Sequence, residues 1–208
     1  MPDDPTGTIT DRSFPKWDEL YRERPVDQLP WFFAELDPDV RGALEAEGIR
    51  SGTLLDVGTG PGTQALALAG LGFAVTGTDV SQAAVDQASA RAAAAGVRAA
   101  FVRDDILATK VGGPFDVLLD RGCFHVMSPA ERPRYRESAN ALVKPGGIFL
   151  LKCFSSKQPG EMGPYRFTEV ELRALFSPAF EVESVRETIY QGTLTPQPLA
   201  LFAVMRRR

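Results

Sequence analysis

Asp56 stands two residues ahead of three closely spaced glycines in Leu54-Leu-Asp-Val-Gly-Thr-Gly-Pro-Gly62. An apolar run enters this stretch and a helical pattern leaves it, so the glycines fall where a strand turns into a helix. Glycine there permits a tight turn and a close approach of backbone to ligand. A dinucleotide loop is spaced G-x-G-x-x-G. Here Gly58, Gly60 and Gly62 are spaced G-x-G-x-G, and Thr63 takes the place of the third dinucleotide glycine. A pyrophosphate arriving beside Asp56 meets like charge, whereas an α-ammonium meets opposite charge. No G-K-[ST] follows, which argues against a phosphate-binding P-loop. Asp56, Gly58, Thr59, Gly60 and Gly62 together suit a ligand with an amino-acid end and no phosphate. S-adenosylmethionine is such a ligand.

Two further acidic positions follow at strand ends. Asp79 closes Phe73-Ala-Val-Thr-Gly-Thr-Asp79. A carboxylate there can accept both ribose hydroxyls of an adenosyl group, and Val80 can lie against the adenine. Asp79 can equally serve the start of the next helix, together with Ser81. Asp104 and Asp105 end Phe101-Val-Arg-Asp-Asp-Ile106. One of them can accept the adenine amine while the Ile106 amide meets a ring nitrogen; a solvated turn is the other reading. Strand alternation admits only one of the pair to the site, and Asp105 is favoured.

The acceptor side is expected beyond a later strand, at Asp120-Arg-Gly-Cys-Phe-His125. Asp120 can orient the acceptor or the methionine moiety, Arg121 can attract an anionic acceptor, and Phe124 and Phe154 can line its pocket. His125 is the single histidine of the chain. It can take a proton near pH 7 or be a polar core residue. Cys123 reads as a small buried residue. Trp17, Tyr21, Trp31 and Phe32 form an aromatic group that either lids a cation and an apolar acceptor or packs a helix on the sheet. The polar segment 155–165 is a second lid candidate.

Alternating elements must hold these residues. Strands are expected at Thr53–Val57, Phe73–Thr78, Ala99–Arg103, Phe115–Leu119, Ile148–Phe154, Glu181–Tyr190 and Leu199–Met205. Helices are expected at Gln64–Ala69, Gln82–Ala95, Pro129–Leu142 and Thr168–Phe176. Apolar runs such as Val117-Leu-Leu suit strands buried on both faces. The pattern predicts an α/β, doubly wound, mostly parallel seven-stranded sheet with an antiparallel C-terminal hairpin. Ahead of it, residues 1–12 read as a flexible tail and 13–50 as a helical lid segment, with 51–208 as the cofactor-binding domain.

The ordered motifs resemble the class I S-adenosylmethionine-dependent methyltransferases. The likeness rests on Asp56–Gly62, Asp79, Asp104-Asp105-Ile106, Phe115-Asp-Val-Leu-Leu-Asp120 and Val143-Lys-Pro-Gly-Gly-Ile148. A narrower likeness to the thiopurine and thiol S-methyltransferases, and to tellurite-resistance methyltransferases, lies in Asp120–His125, Leu151-Lys-Cys-Phe-Ser155, Gln158-Pro-Gly160 and Leu29-Pro-Trp31. It implies methyl transfer from S-adenosylmethionine to a thiol or other soft small-molecule nucleophile, releasing S-adenosylhomocysteine.

Composition limits the remaining classes. The chain has 208 residues and a net charge of −4. That length suits one domain, and an acidic balance argues against a nucleic-acid partner. No apolar run reaches membrane-spanning length. Two separated cysteines and one histidine suggest neither a disulfide framework nor a metal site, consistent with a cytoplasmic monomer or homodimer. Two other functions compete: a binding protein of the same fold that catalyses nothing, and a nicotinamide-dependent oxidoreductase, which the glycine spacing and Asp56 oppose.

Overall fold

The computed structural model describes residues 14–208; the tail expected over 1–12, and residue 13, lie outside the described residues. Two N-terminal helices, α1 (Trp17–Glu23) and α2 (Pro38–Ala46), precede the sheet. The order then runs β1 (Thr53–Val57), α3 (Thr63–Gly70), β2 (Ala74–Asp79), α4 (Gln82–Ala95), β3 (Ala100–Arg103) and β4 (Phe115–Arg121). It continues with α5 (Arg132–Leu142), β5 (Val143–Ser155), β6 (Arg166–Phe167), α6 (Glu169–Phe176), β7 (Phe180–Ile189) and β8 (Leu199–Arg207).

The strands lie in the order β3-β2-β1-β4-β5-β8-β7, and β6 adds two residues beside β5. β1 to β5 are mutually parallel along the path, while β8 runs antiparallel to both β5 and β7. The expected hairpin therefore forms with its second strand innermost. β7 consequently points the same way as β5, and the 190–198 turn lands at the carboxyl end of the sheet. The short β6 was not anticipated. Nor was the early start of β5, which takes in Lys144-Pro-Gly-Gly147 through a bulge opposite Phe115.

Neighbouring residues of the central strands feed opposite faces, as the pleat requires. Leu55, Leu118 and Phe149 pack with Tyr135 of α5 and Phe176 of α6. Leu54, Leu119 and Leu150 pack with Val40 of α2 and Leu68 of α3. Burial on both faces explains the unbroken apolar runs. Helix ends are set locally: Ser81 caps α4, Gly96 ends it in the left-handed region, and Thr168 with Glu171 forms a reciprocal cap on α6. The start of α4 has a second partner from another element. The Asp18 carboxylate of α1 accepts from the Ser81 hydroxyl and the Ala83 amide, each at 3.0 Å.

Candidate active site

The carboxyl ends of the parallel strands open into a cavity of about 720 Å³. Ligands of open α/β sheets bind at this edge, and the volume is in the range of small-molecule sites. Asp79 and Val80 stand on its wall at the end of β2. Asp79 Oδ2 accepts from the Gly60 amide and Oδ1 from the Ser81 amide, both at 2.9 Å. The cap of α4 is Ser81 itself, whose hydroxyl accepts from Ala84. Asp79 instead ties the glycine loop to the start of α4. A carboxylate offers about four acceptor positions, more than the backbone amides of Gly60, Ser81 and Val80 take up. Burial raises its pKa, against the amide hydrogen bonds.

Asp104, Asp105 and Ile106 follow β3 along the same wall. The expectation that only one acid reaches the cavity is not met, because β3 ends at Arg103 and strand alternation ends with it. Asp105 Oδ1 accepts from Leu107 and caps a short 3₁₀ turn, while Asp104 Oδ1 accepts from Lys110.

A smaller pocket adjoins the glycine loop, lined by Asp56, Thr59, Gly60, Gln64, Trp31 and Arg121 among others. Asp56 Oδ2 accepts from the Thr59 hydroxyl at 2.6 Å. Burial pushes its carboxyl up to about 7. The loop's glycines admit no side chain. Gly58 has φ +65°, and a Cβ there would lie 2.7 Å from that of Cys123; Gly60 has φ +52°, and a Cβ would lie 2.9 Å from the Tyr21 hydroxyl.

Aromatic residues form the opposite wall. Trp17, Tyr21 and Trp31 cluster with ring centroids 5.9–6.5 Å apart. Phe154, near the end of β5, meets the His125 ring edge-on at 5.1 Å, and Tyr190 stacks on that ring at 5.8 Å. Tyr190 and Leu194 reach the cavity from the 190–198 turn. The sequence reading missed both, since only the inward position of β8 brings that turn here.

Four expected acceptor-side residues have other tasks. Asp120 is fully buried and accepts from the amides of Gly122, Cys123 and Phe124 at 2.8–2.9 Å and from the Tyr135 hydroxyl. Its carboxylate closes the turn after β4 and does not line the cavity. Phe124 packs in the core among Tyr135, Phe167 and Phe176. His125 edges the cavity but is buried, and desolvation lowers its pKa to about 3. That fits the polar-core reading rather than a base working near pH 7. Arg121 lines both pockets, yet donates to Asp37 at 2.7 Å and to the carbonyls of Trp31 and Gln191.

Arg121 belongs to a buried ionic group without any local sequence signal. Lys152 of β5, wholly buried, bonds both Asp37 oxygens at 2.8 Å and lies 2.6 Å from Asp39. Asp39 also meets Arg186 and Thr188 of β7. The group fastens the start of α2 to β5, β7 and the end of β4. Among the described residues, no helix is long and apolar enough to cross a membrane.

Comparison with known proteins agrees with this geometry. Residues 54–147 match the family model described as a methyltransferase domain. An uncharacterized methyltransferase of Schizosaccharomyces pombe is 30% identical over 103 residues, covering 49% of this chain and 71% of that protein. A probable thiol methyltransferase 2 of Arabidopsis thaliana is 24% identical over 159 residues, covering 75% and 70% respectively. A solved structure described as "Conversion of a Disulfide Bond into a Thioacetal Group during Echinomycin Biosynthesis" superposes with a TM-score of 0.79 at 28% identity, covering 92% of this chain and 90% of that one.

Proposed function

Because this chain belongs to the class I S-adenosylmethionine-dependent methyltransferases and is an enzyme that transfers methyl groups, we propose that its acceptor is a small molecule bearing divalent sulfur. The observation that carries the reading is the division of the cavity wall, with acids beyond β2 and β3 and aromatic rings beyond β5 and β7. Two sulfur-directed relatives support it. One is called a thiol methyltransferase, and the other is described by the conversion of a disulfide.

The residues present fit the cofactor. Asp56, on the smaller pocket, complements the ammonium of its amino-acid end. The free acceptor positions of Asp79 suit a ribose diol, and Asp105 with Ile106 suits adenine. Gly58 and Gly60 line the space between them. When bound, S-adenosylmethionine supplies an electrophilic methyl group on a sulfonium centre. The acceptor sulfur forms the new C–S bond as the old one breaks, and a thiol acceptor gives its proton to water. The work of this chain is to align the acceptor and exclude water. A thiol with a pKa near 8.5 needs little further activation, which agrees with a His125 too acidic to serve as base. Trp17, Tyr21 and Trp31 act as the cover over the reacting atoms, and Phe154 with Tyr190 as the acceptor wall.

Calorimetric titration with S-adenosylhomocysteine, with NAD as control, tests the cofactor site, and production of S-adenosylhomocysteine with a panel of thiols tests the acceptor. Tight binding without turnover of any sulfur compound would sink the sulfur assignment alone. Asp79→Ala removes charge-assisted hydrogen bonds worth about 1.5–3 kcal/mol, so affinity for S-adenosylhomocysteine should fall roughly 10- to 150-fold. Unchanged affinity in a folded variant rejects the ribose role.

A further inference from the structure

The strand order sorts the cavity by chemistry. β3 and β2 end on one side with Asp105 and Asp79, β1 and β4 end centrally with Gly58 and His125, and β5 with the turn after β7 ends on the other side with Phe154 and Tyr190. With the cofactor's polar groups on the acidic side, the acceptor is left with the aromatic side.

The cations near that side are engaged within the protein. Arg121 and Arg166 are the arginines on the cavity wall among the described residues. Arg121 Nε donates to Asp37, Nη1 to Trp31 and Nη2 to Gln191. Its guanidinium also lies 4.6 Å from the centre of the Tyr190 ring. Lys152 is enclosed by Asp37 and Asp39. Arg121, Lys152 and Arg186 are thus all paired with Asp37 and Asp39 within the protein. Arg166 Nη2 donates to the carbonyls of Pro159 and Met162, bracing the loop after β5. His125 is uncharged at neutral pH. The carboxylates on the wall are Asp79, Asp104, Asp105 and Glu161.

Resting on the sulfur reading above, we propose that the acceptor is an uncharged, apolar thiol held among Trp17, Trp31, Phe154 and Tyr190, and that anionic acceptors are rejected. A carboxylate or other non-reacting anionic group carried into this wall loses its water without gaining a cation from the protein, a large unfavourable step. An apolar thiol gains contact with rings already fixed by packing.

The test uses a matched pair, benzyl mercaptan and 4-(mercaptomethyl)benzoate, with thiocyanate as a small anion, on the full chain with saturating S-adenosylmethionine at pH 7. Benzyl mercaptan should exceed both anions in kcat/KM by at least about 100-fold. Comparable or faster turnover of either anion overturns the proposal. If no thiol is methylated, the sulfur reading fails, and titration of the same aromatic pair into the S-adenosylhomocysteine complex still decides the charge question. Binding of the uncharged member alone then upholds the exclusion of anions while the thiol assignment falls; binding of the carboxylate as tightly, or of neither, overturns both. Leu194, half exposed on the cavity rim, provides an independent variant. Leu194→Arg should narrow the preference for benzyl mercaptan over its carboxylate at least about 10-fold, and an unchanged ratio rejects electrostatic exclusion at this wall.

Discussion

Asp56 has a titration that links folding to ligand binding. Its pKa in the folded chain, about 7, lies above the ordinary 3.8. The folded state therefore holds an extra proton between these values, and the associated stability is lost as pH rises through 7. On the proposed assignment of Asp56, an arriving ammonium reverses the balance by favouring the carboxylate. At pH 7, cofactor binding should release about half a proton, measurable by calorimetry in buffers of differing ionisation enthalpy. Asp56→Asn should raise Tm at pH 8 while weakening S-adenosylhomocysteine binding by at least about 10-fold. His125 titrates with the opposite displacement, and its low pKa predicts no limb near pH 6.5 in the profile of kcat/KM. The rate should instead climb toward the pKa of the acceptor thiol, and a limb near 6.5 that disappears in His125→Gln would restore a catalytic histidine. Asp120 makes a structural prediction. Tyr135→Phe removes one bond to its carboxylate, costing about 1.5–3 kcal/mol, and Tm should drop by about 3–12 °C with cofactor affinity little changed.

Among the elements, those with local causes were legible. The apolar run of β1, the glycine turn and the Ser81 cap lie within 29 consecutive residues from Thr53 to Ser81, so strand, loop and helix could be placed together, with Asp79 at a strand end. The length of β4 and the bulge of β5 depend on pairing with each other and leave little mark on either sequence. Asp120 was misread for a similar reason. It leaves a strand at the ligand edge, as a site residue would, but Tyr135 reaches it from the next helix. The N-terminal aromatic segment was open to two readings, cover or packing; Tyr21 is buried against Leu29 and Ala84 and also lines the cavity. Its tether is Asp18 on the start of α4. Asp18→Ala should therefore speed proteolytic cleavage within residues 14–30 and weaken cofactor binding. Cleavage at the unaltered rate would show the tether to be dispensable.

For the molecule as a whole, the sequence pattern foretold a mostly parallel sheet, because buried strands and crossover helices carry different periodicities. It could not foretell the ionic group of Asp37, Asp39, Arg121 and Lys152, whose members lie up to 115 positions apart and read individually as surface charges. Lys152→Met leaves Asp37 buried with fewer partners, and unfolding measurements should register a loss of about 3–5 kcal/mol. Adding Asp37→Asn should restore part of it, a non-additivity expected of residues in contact.

The same ionic group bears on how the chain is made. Asp37 and Asp39 leave the ribosome early, whereas Lys152, Arg186 and Gln191 are synthesised much later. A nascent chain that has not yet released β7 and β8 lacks the last of these partners, and β5 lacks its neighbour β8. Asp39 therefore gains its contacts with Arg186 and Thr188 only after β7 arrives. Until β8 also arrives, an apolar strand edge stays open to association with other chains. Ribosome stalling or premature termination within the last two strands would leave a product prone to aggregate rather than a slightly shortened enzyme.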